Sequence, residues 1–154
     1  MPMPSEKRLP LVLLLLRISI FVVMLVWTLD KFVRPEHAAS VYAHFYFIGG
    51  LSRAAPSAIG VLELALLVAF VLGIGKRATY GAILVLHGIS TLSSFRQYAA
   101  PFQGSNLLFF AAWPMLAACL GLYVLRDLDT LGTMRWTSRR VVKGPSSQPP
   151  LRAR

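Results

Sequence analysis

The chain has a single cysteine, Cys119, which excludes an intrachain disulfide and any CxxC redox centre. Acidic residues are also scarce: six Asp and Glu stand against sixteen Lys and Arg, for a net charge of +10. No HExxH, GxSxG, P-loop or glycine-rich dinucleotide turn occurs, so hydrolysis and nucleotide chemistry have no recognisable route. Charged residues make up only 14% of the chain against 56% hydrophobic, and the mean hydropathy is +0.62. A basic balance of this size raises the question of nucleic acid. Here the basic residues flank apolar runs or gather in the tail, as topology and lipid headgroups require, and no nucleic acid is expected as a partner.

What the chain does have is four long apolar segments: Leu11–Leu29, Ser57–Ile74, Ala78–Phe95 and Asn106–Leu125. A helix needs about 20 mostly apolar residues to cross the hydrocarbon, and each segment lies within tilting and snorkelling range of that length. The expected fold is an all-α integral membrane protein: a four-transmembrane-helix bundle with an interfacial outer loop. Residues 1–10 form a short N-terminus and 11–125 the membrane domain. Residues 126–154, basic and rich in Pro and Ser, read as a disordered tail lying on anionic lipid. The first apolar run follows Lys7 and Arg8, as in a signal peptide. It is too long for an h-region, is interrupted by Arg17 and lacks a small-x-small cleavage site, so it reads as a retained anchor.

An even number of spans puts both termini on one side. With both inside, eleven basic residues face the cytoplasm: Lys7, Arg8, Lys76, Arg77, Arg126, Arg135, Arg139, Arg140, Lys143, Arg152 and Arg154. Four lie outside, Lys31, Arg34, Arg53 and Arg96. The positive-inside rule therefore predicts cytoplasmic termini in a bacterial-type inner membrane. The outer loop Phe32–Pro56 is not simply polar; its stretch HAASVYAHFYFIGG predicts a short interfacial helix ended by Gly49 and Gly50.

Ionisable groups inside hydrocarbon are expensive and ask for a partner or a purpose. There are three: Arg17, Glu63 and His87. Arg17 reads as structural, snorkelling toward the inner face. At a rise of about 1.5 Å per residue, Glu63 lies roughly 9 Å and His87 roughly 12 Å below the outer boundary. On consecutive antiparallel helices, the two are predicted to meet. Around them, Thr91 and Ser94 follow His87 along one helical stripe, while Lys31 and Asn106 sit near the outer ends of the first and fourth spans. These six form the candidate ligand-binding or proton-handling lining. For Thr91, Ser94 and Asn106 interhelical hydrogen bonding is the plainer reading. Glu63 differs, because a Gln would serve as glue with less penalty. Cys119 reads as a small packing residue. His37 and His44, seven apart, with Glu36, are a weak candidate metal site, since two His without a third diagnostic ligand are not distinctive. A bis-His haem is disfavoured because only His87 lies inside a span.

At these residues the chain resembles the DoxX family of small four-helix membrane proteins. The resemblance rests on WTLDKF from Trp27 to Phe32, GVLE from Gly60 to Glu63, and LGIGKRA from Leu72 to Ala78 as a tight turn, and it covers Arg17 to Leu125. The chain is also similar to the methylamine-utilisation membrane proteins. The DoxX resemblance implies a membrane subunit of a redox system, in some members the quinone-linked oxidation of reduced sulfur compounds, with Lys31, Glu63 and Arg77 the matching positions. Three functions follow. The first is a quinone-interacting or redox-associated subunit with no intrinsic cofactor, its redox centres supplied by a partner membrane or redox subunit. The second is a non-catalytic assembly subunit, acting with such a partner or as a homo-oligomer. The third is a small-solute or proton pathway, for which no inverted repeat speaks and only Pro114 offers a kink.

Overall fold

The structure is a computed structural model describing residues 5–134 apart from Arg53. Six α-helices run in order: α1 Ser5–Val33, α2 Pro35–Tyr46, α3 Ala54–Val71, α4 Lys76–Ser93, α5 Phe95–Ala99 and α6 Ala112–Val124. A 3-10 segment, Asn106–Ala111, leads directly into α6. No strand occurs among the described residues.

Four long helices form the bundle. α1 packs most extensively on α3, and α4 on α6; contacts between α1 and α6 and between α3 and α4 close the ring. α2 lies across one end, touching α1, α3 and α4. We call this the cap end. The opposite end carries the α3–α4 turn and the residues after α6, and we call it the turn end.

Exposure follows the logic of a lipid solvent. Val26, Leu62, Val85, Leu120 and Val124 are all exposed, so each long helix turns apolar side chains outward. Three stretches are long and apolar enough to cross a membrane: Arg8–Val33, Ala54–Val71 and Asn106–Val124. Together they indicate a multi-pass membrane protein. The segment expected as the third span is different. α4 has 18 residues, but Lys76 and Arg77 in its first turn, with His87, Ser90, Thr91 and Ser93 further on, lower its hydropathy below that of the other three.

Turn chemistry explains the connections. Between α3 and α4 the LGIGKRA stretch makes the tight turn its glycines predict, with φ of +66° at Gly73 and +56° at Gly75. The outer-loop helix forms as α2, opened by Pro35. It ends two residues before the glycines: Phe47 takes the left-handed C-cap itself, at φ 59°.

The apolar core occupies only one half of the bundle. Leu13 and Ile20, Leu67 and Phe70, Tyr80 and Ile83, Cys119 and Leu122 form one buried cluster. All but Ile20, which stands at the middle of α1, come from the half of their helix nearer the turn end. Cys119 is the small core residue its position suggests. Toward the cap end the helices are joined by long connections, and the packing gives way to a cavity.

Candidate ligand-binding site

The cavity measures about 1000 Å³ and its wall is mostly apolar. From α1 it takes Ile20, Val23, Met24, Trp27 and Lys31; from α2, Tyr42, Phe45 and Tyr46. α3 contributes Ile59 and Glu63, and α4 contributes Leu86, His87, Ser90 and Ser94. Phe109, Ala112 and Met115 complete it from the 3-10 segment and α6. Val23, Trp27, Ile89 and Leu108 are lining residues that are also exposed, so the cavity opens to the surface of the bundle between its helices.

Two polar stations face this space. At the first, Lys31 Nζ and Glu63 Oε2 form an ion pair at 2.8 Å, with side chains 13% and 18% exposed. Thr28, fully buried one turn before Lys31, has its one hydroxyl hydrogen within reach of the same oxygen at 3.1 Å and of Met24 O at 2.9 Å. The close approach of α1 and α3 that permits this pair depends on Gly60, where a Cβ would come 2.8 Å from the Phe32 ring. Tyr42 lies above the pair on α2. Burial, reinforced by the Glu63 charge and by Tyr46, pushes its phenol up to about 12, so it remains a donor at any ordinary pH.

At the second station His87 Nε2 lies 3.1 Å from Ala112 O and 3.4 Å from Thr91 Oγ1. Thr91 in turn donates to His87 O at 2.8 Å.

The sequence-predicted partners are therefore rearranged. Glu63 and His87 line the same cavity, but no hydrogen bond or ion pair joins them; Glu63 is held by Lys31 and Thr28, and His87 by the backbone of α6. Thr91 and Ser94, expected to bond between helices, instead bond back to their own helix at His87 O and Ser90 O. This is how a hydroxyl in a helix satisfies itself without a neighbour. Asn106 stands away from the cavity and donates to Ala100 O at 2.9 Å, bracing the connection into the 3-10 segment. His37 and His44 do not make the suggested metal site. His37 Nδ1 turns to Asp30 Oδ2 at 2.7 Å, and His44 packs edge-on against Phe45. Among the described residues no group of three His, Cys, Asp or Glu is placed to hold a metal ion.

The turn end departs further from expectation. Arg17 does not snorkel: it is 1% exposed. Its Nη1 donates to Asp129 Oδ2 at 2.8 Å and to Tyr80 Oη at 3.2 Å, while Nη2 donates to Leu131 O and Gly132 O. Tyr80 donates to Asp129 Oδ2 at 2.7 Å, and Lys76 Nζ bonds Asp129 O. The Met134 amide closes on Leu72 O at 2.9 Å. Residues 126–134, read from sequence as the start of the disordered tail, are thus a strap folded across this end; residues 135–154 lie outside the described residues. Sequence reasoning missed Thr28, Tyr42 and Asp129. The one available signal for Asp129 was the need of a membrane-buried Arg17 for an anion.

No family model, curated protein or solved structure matches this chain.

Proposed function

We propose that this protein is an integral membrane subunit that binds a quinone-type ligand in the cap half of a four-span bundle and serves a redox-linked membrane system. The observation that carries this reading is the cavity itself: about 1000 Å³, walled by apolar and aromatic side chains, with an ion pair on one side and a histidine on another. A large apolar pocket with few convergent polar groups is the usual form of a small-molecule site. A ligand that partitions into lipid would enter from the side, past Trp27 and Ile89. The DoxX-like sequence pattern agrees with this use of Lys31 and Glu63. In this reading α4 is the fourth span, its polar stripe turned toward the cavity, and both termini are cytoplasmic in a bacterial-type inner membrane. The electron-transfer partner is a second membrane or redox subunit.

Two measurements test the proposal. Reporter fusions at Gly75 and at the C-terminus should report cytoplasm, and one at Ser40 the outer side; a periplasmic C-terminus would overturn the topology. Protein purified in mild detergent should bind quinone analogues and carry its partner subunit. If a partner complex assembles normally while no analogue binds, the assembly-subunit reading replaces this one.

A further inference from the structure

The hydrogen-bond polarity of the cavity says which redox form of such a ligand it suits. Ala112 O can only accept, so the nitrogen 3.1 Å from it, His87 Nε2, must carry a proton. Thr91 agrees with this assignment: its one hydroxyl hydrogen is given to His87 O, so its oxygen, 3.4 Å from Nε2, can only share the Nε2 hydrogen. In the neutral ring Nδ1 is then a bare lone pair. No described residue bonds it, and it is not among the buried unpaired polar atoms, which are Arg17 Nε, Gln97 Oε1 and Asp129 Oδ1. In that form Nδ1 is an unpartnered, unburied acceptor on a residue that lines the cavity.

Glu63 presents the same polarity. Lys31 and Thr28 both engage Oε2, leaving Oε1 without a partner among the described residues and likewise not buried. The donors of the first station, Lys31 and Tyr42, stand beside Glu63, while the two unpartnered atoms, Glu63 Oε1 and, in the neutral ring, His87 Nδ1, are acceptors. A quinone offers two carbonyls, which would set lone pair against lone pair at these atoms. A quinol offers two O–H donors.

We infer that the cavity is built for the reduced, dihydroxy form: an aromatic diol of the quinol class, one hydroxyl donating to His87 Nδ1 and the other to Glu63 Oε1. This rests on the proposed quinone-type site and sharpens it. The ring lies among Trp27, Phe45 and Phe109, and the remaining apolar wall accepts its substituents.

The test is the affinity of one short-chain benzoquinol and of its matching benzoquinone, each held in its redox state, for the full chain in nanodiscs, read by Trp fluorescence. A single satisfied rather than opposed hydrogen bond changes affinity by about tenfold. The quinol should bind at least about tenfold tighter than the quinone. His87→Leu should remove most of that preference. His87→Gln, whose amide can still donate to Ala112 O and accept from the ligand, should retain part of it, which a merely structural role for the ring would not require. Thr79→Ala, at the turn end away from the cavity, should leave the ratio unchanged. Equal binding of the two forms, or tighter binding of the quinone, would overturn the inference while leaving the quinone-type site standing. Binding of neither form would remove both.

Discussion

α1 carries two cations on one face, fourteen residues apart, and the two ends of the bundle treat them differently. At the turn end Arg17 is enclosed, and its Nη1 and Nη2 are met by a carboxylate, a phenol and two backbone carbonyls. At the cap end Lys31 meets Glu63 on the wall of a cavity, and the carboxylate keeps one oxygen unpartnered. The packing differs in the same sense, since the buried core cluster fills the turn half and extends only to Ile20 at the middle of α1. A buried charge enclosed by partners on several sides holds elements together, although Arg17 Nε and Asp129 Oδ1 find none. One left partly unsatisfied beside an open space is available to a ligand. One end of the bundle is filled and closed by the strap, and the other encloses a cavity.

The sharpest way to break this contrast is at Asp129. Asp129→Ala leaves the Arg17 guanidinium buried without its counter-ion, and loss of one partner of a buried pair costs about 3–5 kcal/mol. The apparent thermal midpoint in detergent should fall by many degrees, and proteolysis at the strap should accelerate. An unchanged midpoint would mean that the strap is not what holds the turn end. Gly73→Ala comes next. Its φ of +66° costs an L-residue about 1–2 kcal/mol, and the new Cβ would stand 2.7 Å from Thr133. Thermal unfolding should show a loss that Thr133→Ala relieves only in part, because the backbone strain remains.

At the cap end the expected stability effects are smaller. Glu63→Gln removes a partly exposed ion pair but keeps an acceptor for Thr28, so it should cost about 1 kcal/mol or less. Its effect should appear in ligand affinity instead. A destabilisation equal to that of Asp129→Ala would erase the distinction between the two ends. The smallest effect belongs to Tyr42. Its phenol ionises near 10 when unfolded and about 12 when folded, so the folded state binds more protons in that interval. Stability should therefore fall as pH rises from 10 to 12, and Tyr42→Phe should make that fall shallower in a pH series of unfolding midpoints.

Much of the architecture was legible along the chain. The LGIGKRA turn, the short α2 helix and the inward faces of Lys31, Glu63 and His87 follow from glycine conformation, amphipathic spacing and the price of charge in hydrocarbon. Those are local rules, and local rules could place a residue on a face without saying what the face would meet. Glu63 and His87, read as lying at matching depth, line one cavity, yet depth along two helices does not fix their rotation or their separation. Lys31, one turn beyond Thr28, took the carboxylate because Gly60 brings α1 against α3. The pairing of Arg17 with Asp129 spans 112 positions and depends on a strap whose polar composition looks like tail.

By itself the sequence determined the helical class, the lipid solvent, the turn and the identity of the polar groups that had to be answered for, because hydropathy and backbone propensity are properties of short stretches. Only the tertiary structure decided which group answered which, that one half of the bundle is filled and the other hollow, and which atoms around the hollow remain open acceptors. Those depend on how four helices approach at one end and separate at the other, and no short stretch of chain carries that distance.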